Sequence, residues 1–133
     1  MKLNNIIDNL KRCIAFLTKS WRVHYMSKDG TIDMIGLKLD PDTRLELCRE
    51  FPDIVFKQYI PILYNDEIYI VDVSNEFPKA NEIALLENFR NEKYKFVKCI
   101  AEERRDLPPL FADHSTLIEH NIIGTVVKIF KAP

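Results

Sequence analysis

The 133-residue chain has few of the residues that build common specialised sites. It contains three glycines, too few for a glycine-rich loop that cradles a phosphate group. Its three cysteines, Cys13, Cys48 and Cys99, are odd in number and widely spaced. A disulfide framework is therefore not expected, and the pattern suits a reducing compartment.

Neither sign of charge is in excess, because 19 basic residues and 20 acidic ones leave a formal charge of −1. General nucleic-acid binding, which usually needs a basic excess, is not expected. No apolar run approaches the roughly 18–20 residues of a membrane-spanning helix, and charged residues interrupt the N-terminal segment. We therefore expect no signal peptide, no membrane span and a cytoplasmic location.

What the chain does have is an ordinary globular composition, 47% hydrophobic and 29% charged, at a length that suits one domain. Apolar residues recur at helical spacing over residues 3–19 and predict an amphipathic helix. The predicted fold class is α+β. An N-terminal helix within residues 1–20 packs on the mainly antiparallel sheet of a core, residues 21–133, in a single domain, 1–133.

Turn and cap residues locate the elements of this core. Asp29-Gly30 is a hairpin dipeptide, since glycine tolerates the positive φ of a tight turn. Pro41 suits the first position of a short helix that Pro52 would end. Strands are expected on both sides of the turn 64–67, over KYKFVKCIA, and over NIIGTVVKIFK at the end of the chain.

One segment leaves two alternatives open. Residues 80–90, ANEIALLENFR, are rich in Ala, Leu and Glu, and Ile83 is their only β-branched residue. This composition favours a helix. A second strand, which would form a β-ribbon with the strand before it, is the alternative.

The three histidines do not follow a metal-binding pattern. His24, His114 and His120 lack the spacing to a cysteine or carboxylate that zinc motifs show. Asp113 and His114, with His120, would bring three donor groups to one loop, but a solvated loop is the favoured interpretation. No metal and no cofactor are predicted.

Lys98 is the one basic residue with a possible chemical role. It lies between Val97 and Cys99 in an alternating strand, so its amine is either solvated or a desolvated general base. The solvated interpretation is favoured, and acid–base chemistry by Lys98 with a carboxylate such as Asp72 is a minor alternative. Cys48 and Cys99 are expected to be small buried hydrophobic residues.

The stretch IPILYNDEIYIVDVSNEFPKANEIALLE resembles the core of the LexA-type self-cleaving repressors and their peptidase relatives. The matching positions are Pro61, Glu67, Ile68, Ile70, Val71, Asp72, Ser74, Pro78, Lys79, Glu82, Ile83 and Ala84. Further along, FVKCI is similar to the strand that carries the family's base lysine, and NIIGTVVKIF is similar to its last strand. The resemblance covers about residues 51–130.

This resemblance implies a domain that has lost its catalytic centre. It puts Lys98 in the role of the base, but Gln58 stands where the family has its serine nucleophile, and an amide is not a nucleophile. The family's helix-turn-helix domain is also missing. Enzymatic activity is therefore not expected. The implied function is a non-enzymatic regulatory or protein-interaction domain that acts through dimerisation or partner docking.

Residues 36–103 also resemble the N-terminal accessory domain of secretion and pilus ATPases. That domain has a short helix, a strand like YIPIL, a hairpin, a loop like SNEFP, a second helix and a final strand. The alternative function is thus an adaptor that docks to a partner machine. The Arg-Leu-Gly repeats by which some such domains bind a cyclic dinucleotide are absent, so no such ligand is expected.

Overall fold

The computed structural model of the chain describes residues 22–38, 41–50 and 59–131. One mixed sheet dominates these residues. Its strands are β1 (Arg22–Met26), β2 (Ile32–Lys38), β3 (Tyr59–Tyr64), β4 (Glu67–Asp72), β5 (Ile83–Asn88), β6 (Tyr94–Ala101), β7 (Leu110–Phe111) and β8 (His120–Lys131). A helix, α1, spans Pro41–Glu50.

The order of the strands across the sheet is β2-β1-β3-β4-β8-β5-β6-β7. β1 and β3 run parallel, and every other neighbouring pair is antiparallel. The twelve-residue strand β8 pairs with β4 on one side and β5 on the other. It therefore joins the first four strands of the chain to the next three.

The predicted α+β class is wrong, because the described residues are mostly strand and their only helix is α1. The amphipathic helix predicted over residues 3–19 lies outside the described residues. Among the described residues, the helix-forming composition of residues 80–90 gave helices too large a share of the predicted fold. The division into a helical segment and a sheet-rich core stays a prediction.

The helix favoured for residues 80–90 is also wrong, since Ile83–Asn88 form strand β5. Ala84, Leu85 and Leu86 are all buried, and β5 is paired on both of its edges. A continuous apolar run is typical of a strand that is covered on both faces. Pairing with β6 and β8 therefore outweighs the helix propensity of Ala, Leu and Glu.

Local signals placed most of the other elements correctly. The hairpin at Asp29-Gly30 joins β1 to β2, and Gly30 has the positive φ, 90°, that the turn requires. α1 begins at Pro41, as predicted. Asn65 and Asp66, both at positive φ, form the turn between β3 and β4. β6 and β8 match the strands predicted over KYKFVKCIA and NIIGTVVKIFK.

Each face of the sheet carries an apolar cluster. One cluster is built around Met26, Ile62, Val71 and Leu85. The ring of Phe96 packs against it and stacks on Tyr69 with 4.2 Å between centroids. The opposite cluster consists of Ala84, Leu86, Val97, Cys99 and Phe111. The alternation of Ala84, Leu85 and Leu86 between the two clusters follows from the pleat of β5.

In residues 22–38, 41–50 and 59–131, no helix combines the length and the apolar character that crossing a membrane requires.

Gly124 is expected to be essential for the fit of β8 against β4. A Cβ at this position would lie 2.6 Å from the carbonyl oxygen of Asp72 and 2.8 Å from Cγ1 of Val71. Gly124→Ala should therefore force β4 to shift and should lower the free energy of unfolding by about 1–3 kcal/mol, the usual cost of overpacking. Urea unfolding followed by far-ultraviolet circular dichroism measures this.

Lys131→Ala is the matched control, because Lys131 lies in the same strand and is exposed. It should change the free energy of unfolding by less than about 0.5 kcal/mol. Equal stabilities of the two variants would show that β8 and β4 tolerate a side chain at this contact.

Candidate functional site

Lys98 lies in the middle of β6, opposite Ile83 of β5. Its side chain is exposed, and its amine forms no hydrogen bond or ion pair with another described residue. Its carbonyl oxygen accepts a hydrogen bond of 2.9 Å from the backbone N–H of Ala112. The structure therefore places Lys98 in solvent. Gln58 lies outside the described residues, and the role of Lys98 as a catalytic remnant stays a prediction.

The structure does not bring Lys98 and Asp72 together. Asp72 pairs with Thr125, which pairs with Ala84, which in turn pairs with Val97, and directly paired residues share one face of a sheet. Lys98 follows Val97 and projects from the opposite face. An acid–base pair of these two side chains is not formed.

Asp72 has a structural role in the turn that follows β4. Its side chain is buried, and Oδ1 accepts a hydrogen bond of 2.9 Å from the backbone N–H of Ser74. The Ser74 hydroxyl donates to the same oxygen. An Asp that accepts from the residue two positions later is typical of a turn. Asp72 and Ser74, which match the LexA-type motif, therefore form the turn that ends β4.

The three donor groups Asp113, His114 and His120 do not converge. Within the described part of the chain, no group of three or more His, Cys, Asp or Glu residues could hold a metal ion. Asp113 pairs with Lys95 at 2.6 Å. His120 is buried, and its Nδ1 lies 3.1 Å from the carbonyl oxygen of Thr116. His114 is exposed at a positive φ of 64°.

Cys99 is fully buried in the core, as predicted. Burial, followed by the nearby charges of Glu102 and Glu82, raises the pKa of its thiol above the usual value. A thiol held in the neutral form is a poor nucleophile. Cys99 is therefore a packing residue. The side chain of Cys48 lies outside the described residues.

An apolar groove lies where the loops around β7 meet the start of β8. It consists of two adjoining pockets that share Pro109 and Leu117. The first pocket, about 460 Å³, also contains Phe77 and the beginning of β8. The second, about 520 Å³, also contains Leu107 and Leu110. These two pockets are called the apolar groove below.

Large apolar side chains around this groove are exposed to solvent. Phe77 is 68% exposed and Leu107 is 65% exposed. Leu110 and Leu117 are partly exposed, and Ile118, next to Leu117 in the chain, is 86% exposed. Contiguous exposed apolar residues of this kind mark an interaction site more often than isolated ones do.

Hydrogen bonds hold the walls of the groove in place. Arg104 and Leu107 exchange two backbone hydrogen bonds of 3.0 Å, which closes the loop that leads into the second pocket. The ion pair between Asp113 and Lys95 ties the following loop to β6. At the far end, the N–H of Phe89 donates to the carbonyl oxygen of Glu119 at 2.9 Å. The groove is therefore formed before any ligand arrives.

The segment RRDLPPLFADHS lies between the strands predicted over KYKFVKCIA and NIIGTVVKIFK, and it contains no motif that predicts this groove. This segment is a loop apart from the two-residue strand β7, and residues 102–106 around its start are exposed. The signal that could have revealed the site is the presence of leucines beside Pro108 and Pro109. Proline has no N–H to donate to a neighbouring strand, so a segment with two prolines is not expected to bury its leucines inside a sheet.

No protein-family model matches the sequence, and no curated protein shows significant similarity to it. The resemblances to the LexA-type and ATPase-type domains thus rest on the sequence motifs quoted above.

The ion pair between Asp113 and Lys95 should make stability depend on pH. Burial alone would raise the pKa of Asp113, but hydrogen bonds from Lys95 and Ser115 outweigh burial and lower it from 3.8 to about 2. A carboxyl group whose pKa is lowered by folding stabilises the protein above its unfolded pKa, and this contribution is lost as pH falls through the folded pKa. The relevant window therefore runs from about pH 5 to pH 2.

We expect Asp113→Asn to destabilise the protein at pH 6 by under about 1 kcal/mol, because solvent screens this partly exposed pair. The difference from the wild type should shrink as the pH falls toward 2. Urea unfolding at several pH values measures it. In a Lys95→Gln background the effect of Asp113→Asn should be smaller. An effect of equal size in both backgrounds would assign the stabilisation to another partner.

Proposed function

We propose that this chain is a non-enzymatic regulatory domain that acts by binding a partner protein, with a LexA-like fold that has lost its nucleophile. The observation that carries the proposal is the apolar groove. Four large apolar side chains that line it, Phe77, Leu107, Leu110 and Leu117, remain exposed to solvent, as does Ile118 next to Leu117 in the chain. Burying these side chains against a partner would remove apolar surface from water, which is energetically favourable.

The position of Lys98 supports a non-catalytic function. A lysine that acts as a general base requires a desolvated site, and Lys98 projects into solvent from β6. The resembled catalytic mechanism also requires a serine where this chain has Gln58. With Gln58 in place of the serine and with Lys98 in solvent, these two positions are not expected to carry out the self-cleavage reaction of the resembled family. The cytoplasmic location and the LexA-like fold are parts of this proposal.

The alternative function, an adaptor similar to the accessory domain of secretion and pilus ATPases, stays a prediction. The resemblance behind it included a helix after the SNEFP loop. Ile83–Asn88 form strand β5 at that place. No other feature of the described residues favours this alternative over the first. Partner binding through the groove is therefore the function that we propose.

A photo-crosslink tests partner binding directly. A benzoylphenylalanine that replaces Ile118 stands next in the chain to Leu117 of the groove, and the same group replacing Tyr25 stands in β1, which lines neither pocket. Both native side chains are exposed, so neither change should disturb the core. Irradiation of cells that naturally express the protein should give discrete protein adducts from position 118 only.

The proposal is contradicted if position 118 gives no discrete adduct, or if positions 118 and 25 give the same adducts. The second result would show adhesion to many proteins without use of the groove.

Alkaline incubation tests the absence of catalysis. Self-cleavage by a serine–lysine pair accelerates at high pH, where the lysine is neutral. The purified wild-type chain should remain intact at about pH 10, close to the ordinary pKa of lysine. Mass spectrometry over time measures this. Time-dependent cleavage that Lys98→Ala abolishes would show that the domain is a catalyst after all.

A further inference from the structure

The two pockets of the apolar groove differ in charge. Glu76 and Glu103 line the first pocket and are exposed, and neither forms an ion pair with another residue of the described ranges. The second pocket is lined by both Glu102 and Arg104, so the formal charges of these two residues cancel. Leucine and proline side chains make up much of the remaining wall. Uncompensated negative charge therefore lies beside an apolar pocket.

The size and shape of the groove suit a chain-like ligand. Pockets of about 460 and 520 Å³ both fall within the range of roughly 300–1,000 Å³ that is typical of ligand sites. The pockets meet at Pro109 and Leu117, so one ligand can occupy both if it carries two separate side chains. In an extended peptide, alternate side chains lie about 7 Å apart and project from the same side.

A second copy of the chain fits the groove less well. In a symmetric dimer the same surface of each copy faces the other, and two concave grooves leave each other's pockets unfilled. Such a dimer would also bring Glu76 and Glu103 of one copy toward the same carboxylates of the other. Like charges that face each other across an interface are unfavourable.

We propose that the apolar groove binds an extended segment of a partner protein that carries an apolar side chain and a nearby lysine or arginine. The apolar side chain enters the second pocket, between Leu107 and Leu110. The basic side chain enters the first pocket, beside Glu76 and Glu103. Apolar burial supplies affinity, and the opposite charges select the sequence of the segment. This inference rests on the proposed function, because it specifies the partner of the same groove.

The walls of the groove favour binding of such a short segment. Pro108 and Pro109 restrict the backbone of one wall, and the paired hydrogen bonds of Arg104 and Leu107 close its loop. A preformed groove does not have to be ordered on binding, so less of the contact free energy is lost. Only the peptide loses conformational freedom.

Fluorescence anisotropy of the full chain with three labelled octapeptides tests the inference. The peptides share a glycine–serine background and differ in one pair of residues, separated by a single position: leucine with lysine, leucine with glutamate, or serine with lysine. The leucine–lysine peptide should bind at least about tenfold more tightly than the other two, which corresponds to about 1.4 kcal/mol.

Charge reversal provides the matched comparison. Glu103→Lys should abolish the preference for the leucine–lysine peptide over the leucine–glutamate peptide, because the new ammonium group offsets the remaining carboxylate of Glu76. Asp33→Lys makes the same change of net charge in β2, at the opposite edge of the sheet from β7. The order of the peptides should be unchanged in that variant.

Equal affinity for the three peptides, or no binding of any, overturns the inference. The crosslinks from position 118 then still decide the proposed function independently. A dimer that forms in sedimentation velocity and is abolished by Leu107→Asp would assign the groove to a second copy. A crosslink from position 118 to residues 1–21 of the same chain would assign it to that segment. Either result contradicts a partner peptide.

Discussion

The structure depends on the pairing of β8 with both β4 and β5. Thr125 pairs with Asp72 on one side and with Ala84 on the other, and its hydroxyl donates a hydrogen bond of 2.9 Å to the carbonyl oxygen of Asn75. In the described sheet, no other strand joins β1–β4 to β5–β7. The sheet is therefore completed by the last strand of the chain, through contacts between residues far apart in sequence.

The same pairing builds the proposed binding site. The first pocket of the groove combines Glu76, Phe77 and Pro78, which follow β4, with residues 120–123 at the start of β8. The second pocket depends on the edge of the sheet, where β7 pairs with β6. A ligand that spans both pockets would consequently contact parts of the chain that only the finished sheet brings together.

Local chemistry and long-range pairing explain which elements could be predicted. Asp29-Gly30 and Pro41 act within a few residues, and the hairpin and helix follow them. Proline is usually confined to sheet edges and strand ends, yet Pro61 is buried within β3, between two neighbouring strands. It is tolerated because the register of β1 with β3 includes only Ile62 and Leu63. Whether a proline is tolerated inside a sheet depends on the register of the neighbouring strand, which the local sequence does not reveal.

The groove escaped prediction for the same reason. Leu107, Pro108 and Leu110 read as a loop, and nothing in their order reveals that Phe77, thirty residues earlier, completes the same surface. Lys98 shows the opposite case, since a family motif suggested a role that its solvated position does not support. A catalytic lysine needs a desolvated partner, whereas an interaction surface needs only exposed apolar area on a rigid frame. The described residues provide exposed apolar area on a rigid frame, but they do not provide a desolvated site for Lys98.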